Sequence, residues 1–188
     1  MAGVAGPMLR NRDRAGARFL AGLLAGETAA GLLLAVPAYL LSEAVRAVPL
    51  TARLWTLAAV CAVFGVADLT NRTPHVWRQV PQALIHRLQP GTLGVAWGFD
   101  LGLLFTTQKV VSLIWVAIAA SVLLQPAMAA GVVVGVAVLT GLAVIGGSVT
   151  FKPGRLRSPG ALLRRVRQAS GSATLALAVL TVAQAWHA

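Results

Sequence analysis

Residues 93–124 read LGVAWGFDLGLLFTTQKVVSLIWVAIAASVLL, and the number of times this stretch crosses a membrane decides the architecture. At 32 residues it exceeds the roughly 20 that an α-helix needs for the hydrocarbon core, yet it falls short of two such helices. Its centre is polar, with Thr106, Thr107, Gln108 and Lys109 in succession. Facing lipid, such a run would be costly, because the core offers no water to satisfy it. The stretch is therefore expected to tilt steeply, kink, or carry a non-helical break around residues 106–109.

Outward from it, apolar residues gather at 19–41, 52–68, 127–147 and 171–187. The chain is 57% hydrophobic in residue type and 11% charged, against roughly a half and a quarter in soluble domains. An all-α, polytopic membrane helix bundle is expected. Charge decides the span count. If 93–124 crosses once, thirteen basic residues fall on the cytoplasmic side, in the tail 1–18 and the loops 69–92 and 148–170, leaving Arg46, Arg53 and Lys109 elsewhere. If it crosses twice, seven lie inside and nine outside, against the usual bias. Five spans with a cytoplasmic N-terminus are expected, six being the runner-up, in a single transmembrane domain over 1–188.

The net charge of +11 would suggest nucleic acid in a soluble protein. Here the arginines lie between apolar runs, so the expected partner is a bilayer with anionic headgroups, not nucleic acid. Fourteen Arg against two Lys, with abundant Ala, Gly and Val, reads as high-GC bacterial composition, and the expected location is the bacterial cytoplasmic membrane. The first apolar run follows basic residues but is too long for a signal peptide and lacks a small-x-small site after it, so an uncleaved helix is expected.

Two connecting segments carry amphipathic pattern and are expected as interfacial helices. Residues 74–90, PHVWRQVPQALIHRLQP, set Trp77, Val80, Leu84 and Leu88 on one face and Arg78, Gln82 and His86 towards another. Residues 158–168, SPGALLRRVRQ, begin with a candidate N-cap Ser158 and Pro159 at the first helical position, then set Leu162, Leu163 and Val166 against Arg164, Arg165 and Arg167. A plain solvated loop is the equal alternative for the second.

Charges within apolar runs mark candidate sites, since each must face protein, water or a partner. They are Glu27, in AGETAAG, Asp100 and Lys109. Glu27 reads either as a proton-carrying carboxylate or cation ligand, or as a structural Glu paired within the bundle. Asp68, at the end of its run, is expected at the interface. Gly94, Gly98 and Gly102 recur every four residues, a smooth stripe on which another helix can approach closely. Asp100 lies about 200° around from Gly98, pointing away from that contact. Gly22 with Gly26, and Gly131 with Gly135, repeat the spacing.

Cys61 is the sole cysteine, which rules out an intramolecular disulfide and a CxxC pair, and it is expected to pack as a small hydrophobe. His75, His86 and His187 have no metal-ligand spacing. Neither a Gly-rich phosphate loop nor a GxSxG or HExxH motif is present. No catalytic residue, metal or cofactor is assigned.

Arg78, Gln79, Val80 and Pro81, followed by Trp97, Gly98, Leu101, Gly102 and Thr106, resemble a region of small membrane proteins related to the cytochrome c biogenesis and thiol-disulfide transmembrane electron carriers. The resemblance covers about 50 residues of the 188 and implies a transporter-like fold. Those carriers use a pair of intramembrane cysteines. Cys61 lies outside the similar segment, so the thiol relay is absent and no catalytic residue transfers. The leading expectation is a small carrier or permease for a solute or ion, with Glu27, Asp100 and residues 106–109 along its path and oligomerisation helping to enclose it. The alternatives are a membrane accessory or assembly subunit whose glycine stripes dock a partner, and a membrane enzyme acting on a lipid-like substrate.

Overall fold

In the computed structural model the described residues are 14–73, 87–104, 111–150 and 159–188. They form six α-helices and one 3-10 turn, with no strand among them. The helices are α1 (Arg14–Arg46), α2 (Leu50–Leu69), α3 (Pro90–Gly102), α4 (Leu113–Leu124), α5 (Ala129–Thr150) and α6 (Pro159–His187), with η1 (Pro126–Met128) leading into α5. Four stretches are long and apolar enough to cross a membrane: Arg14–Arg46, Leu50–Leu69, Pro126–Gly146 and Leu163–His187. The chain is an all-helical membrane bundle.

The long segment 93–124 is not one helix. α3 stops at Gly102, Leu104 takes a left-handed backbone (φ 60°), and helix resumes at Leu113. The 13 and 12 residues of α3 and α4 reach about 20 and 18 Å, each short of the hydrocarbon core. Residues 106–109, Trp77, Arg78 and most of the first amphipathic segment lie outside the described residues. The second amphipathic segment differs from expectation. Pro159 does open a helix, but that helix runs on to His187 without interruption. Nothing after Arg167 breaks it, because Ser170 and Gly171 are small residues spent on packing rather than on a turn.

The packing divides into two compact units, with boundaries after Leu34 within α1 and after Val133 within α5. The first unit holds the start of α1, α3 and most of α5. The second holds the end of α1, α2, α4, η1, the start of α5, and α6.

In the first unit α1 and α3 run parallel at backbone contact. A methyl at Gly26 would lie 2.6 Å from Phe99 N, one at Gly94 2.9 Å from Leu23 N, and one at Gly98 2.7 Å from the Leu23 carbonyl carbon. The two glycine stripes thus seat on each other, and only hydrogen at these positions allows it. Beside the seam Phe19 meets Trp97 edge to face, ring centroids 5.9 Å apart, in a core completed by Leu23, Leu93 and Leu101. α5 lies antiparallel to α1, with Gly31 against Ala137 and Glu27 against Gly141.

In the second unit α2 and α6 run antiparallel. A methyl at Gly171 would lie 2.9 Å from Gly65 O, so these helices also touch at glycine. Cys61 is buried with Leu57, Val116 and Ala178, packing as the small hydrophobe expected.

Candidate functional site

Glu27 is 0% exposed. Two glycines make its place. At Gly102 a methyl would lie 2.7 Å from Glu27 Cα, and at Gly141 it would lie 2.6 Å from the carboxyl carbon Cδ and overlap Oε2. Gly102 lets the last turn of α3 press against the α1 backbone, and Gly141 leaves the carboxylate room against α5. The side chain therefore stands where three helices meet, beside the C-terminal end of the short helix α3. The last carbonyls of a helix carry partial negative charge, so a carboxylate and a helix C-terminus of the same sign share this junction.

Asp100, on α3, is 7% exposed, which fits an orientation away from the glycine seam and into protein. One turn before it, the buried indole N–H of Trp97 finds no hydrogen-bond acceptor among the described residues. Gly94, Gly98 and Gly102 act in packing. Of the positions that carry the family resemblance, Trp97, Gly98, Leu101 and Gly102 are all buried in α3, and close packing accounts for them. Arg164 and Arg165 are exposed on the first turns of α6, whereas Arg167 Nη1 donates to Asn71 Oδ1.

A second polar cluster escaped the sequence reading. Asp68, expected at the interface, is buried. Its carboxylate accepts from Thr73 Oγ1 at 2.8 Å, Ser112 N at 2.9 Å, Ser112 Oγ at 2.7 Å and Ser170 Oγ at 2.9 Å. The local cause is the end of α2. Asn71 is left-handed (φ 60°), Arg72 N–H donates to Ala67 O at 2.7 Å and Asn71 N–H to Asp68 O at 3.2 Å. This is a Schellman turn with Asn in the position usually given to Gly, and it brings Thr73 back over Asp68. At the other end of α2, Arg53 Nη1 donates to Leu123 O at 3.1 Å. α2 thus places an anion at the N-terminus of α4 and a cation at its C-terminus, each matching the helix dipole. Through Asp68 the cluster ties the end of α2 to Ser112 before α4 and to Ser170 of α6.

Asn71 was the one local hint of that turn. Nothing in the sequence around Gly141, Gly65 or Gly171 distinguishes them from other apolar-run glycines, because their roles depend on what lies opposite. Among the described residues no three His, Cys, Asp or Glu side chains group to hold a metal ion. Comparison with protein-family models, with curated proteins and with solved structures gives no match.

Proposed function

We propose that this chain is a small membrane carrier that moves a small cation, or a solute coupled to one, by way of Glu27, in the bacterial cytoplasmic membrane with its N-terminus inside. The observation that carries the reading is the fully buried Glu27 carboxylate between Gly102 and Gly141, next to the end of an interrupted helix. Buried acids and interrupted helices occur together where membrane carriers bind their cations, the helix C-terminus and the carboxylate supplying negative charge. Asp100 adds a second buried acid on the same short helix. Residues 106–109 lie outside the described residues and keep their place on the path through sequence alone. The arginine distribution supports the orientation.

The test is flux in proteoliposomes under imposed proton, sodium and potassium gradients. Wild-type protein is expected to dissipate one of these, and Glu27→Gln to abolish that flux while inserting and eluting from a sizing column as wild type. Wild-type flux in a well-folded Glu27→Gln sinks the reading. An accessory subunit then takes its place, which the face of α5 favours, since a methyl at Gly131 or Gly135 would meet nothing within 4 Å.

A further inference from the structure

The outer faces of α1 and α6 carry the same ruler. On α1 the exposed positions Arg18, Ala25, Leu32 and Tyr39 follow at seven-residue intervals, and on α6 so do Arg165, Ser172, Val179 and Trp186. Residues seven apart share one face of a helix. Each series begins at an exposed arginine and ends at an exposed aromatic, Trp186 reaching 78% exposure. From first to last residue each spans 21 steps, about 31 Å of helix, which is the thickness of a bilayer's hydrocarbon core. The opposite faces are occupied: Leu23, Glu27 and Ala30 of α1 are buried, and on α6 so are Thr174 and Thr181. Within the second unit α2 is antiparallel to α6, so the half-exposed Trp55 lies towards the Trp186 end.

We infer that each of these faces is a bilayer contact, with its own arginine end on anionic phospholipid headgroups and its own Tyr or Trp end in the opposite interface. Guanidinium groups pair with phosphate, and amphipathic aromatic rings settle at headgroup level. The ruler then gives depths. Glu27 stands nine positions above Arg18 on α1, about 14 Å into a layer of about 31 Å, near the midplane. On α6, Ser170, which holds Asp68, is five positions above Arg165, so the Asp68 cluster lies about 8 Å from the headgroups at the arginine end of that helix. The assignment of these faces does not rest on the carrier reading.

Two measurements on the full chain test it, in vesicles of phosphatidylethanolamine and phosphatidylglycerol. Nitroxide labels at Ala21, Ala25, Ala29, Leu32 and Val36, in a Cys61→Ala background, should show collision with oxygen greatest near Ala29 and collision with an aqueous nickel chelate only towards the ends. A maximum at either end overturns the depth assignment. Low oxygen collision with spin–spin broadening would instead mean that a second copy covers the α1 face, which also overturns it. In native mass spectrometry the wild type should retain phosphatidylglycerol over phosphatidylethanolamine. Arg164→Gln and Arg165→Gln should each lower that preference about fivefold. No preference in the wild type, or none lost in the variants, removes the arginine ends from the headgroups.

Discussion

A methyl group is the smallest change a side chain can make, and at the glycines of this chain its effect depends on the opposing helix. At Gly141 it meets the Glu27 carboxylate. Gly141→Ala is expected to displace Glu27, destabilise the protein by about 1–3 kcal/mol through overpacking, and reduce any Glu27-dependent flux. At Gly98 it meets the Leu23 backbone, which cannot rotate aside, so Gly98→Ala should cost at least as much. Gly131 and Gly135 face open space. There the same substitution should be neutral or stabilise by up to about 1 kcal/mol, because alanine is the better helix former. Thermal unfolding in detergent of the four variants would check the contrast, and equal losses at all four positions would refute the packing assignment.

α4 is an element that cannot stand by itself. Twelve residues give too few helical hydrogen bonds to offset nucleation, and its ends are held by α2 through Asp68 and Arg53. Asp68→Ala leaves Ser112 N–H and the Ser112, Ser170 and Thr73 hydroxyls without that acceptor, and is expected to destabilise by about 3 kcal/mol. Asp68→Asn, which keeps one acceptor oxygen, should lose less. Arg53→Ala removes a cation from the α4 C-terminus and should cost about 1 kcal/mol. Hydrogen exchange reads these changes locally: α4 amides should lose protection first in the Asp68 variant, at the end near Ser112. Uniform loss across all helices would argue against a clamp.

For the whole molecule, the arrangement of charge predicts which surfaces meet water on each side. Single cysteines at Arg72 and Leu88, in the Cys61→Ala background, should be shielded from an impermeant thiol reagent applied to intact cells, while one at Val48 should label. Labelling at Arg72 or Leu88 without lysis would overturn the orientation. Cys61→Ala itself should change accumulation little, because the thiol serves as a small apolar group among Leu57, Val116 and Ala178.

Composition and the apolar runs alone determined the membrane class, the helical architecture and the candidates Glu27 and Asp100, because burial in lipid imposes length and satisfied backbone on each span separately. The length and polar run of 93–124 left a steep tilt, a kink or a break open, and the structure shows helix ending at Gly102 and resuming at Leu113. Local spacing marked Gly22, Gly26, Gly94, Gly98 and Gly102 as packing glycines, but not that they pack on one another, and it marked Gly131 and Gly135 equally, which face open space. Pairing of helices, the seat of Glu27 over Gly141, the burial of Asp68 and the continuity of α6 were decided only by tertiary structure. Each depends on which side chain stands opposite across 40 to 115 residues of chain: Glu27 meets Gly141, Asp68 meets Ser112 and Ser170. A single sequence records spacing along one helix, and it carries no term for the helix that fills the facing groove.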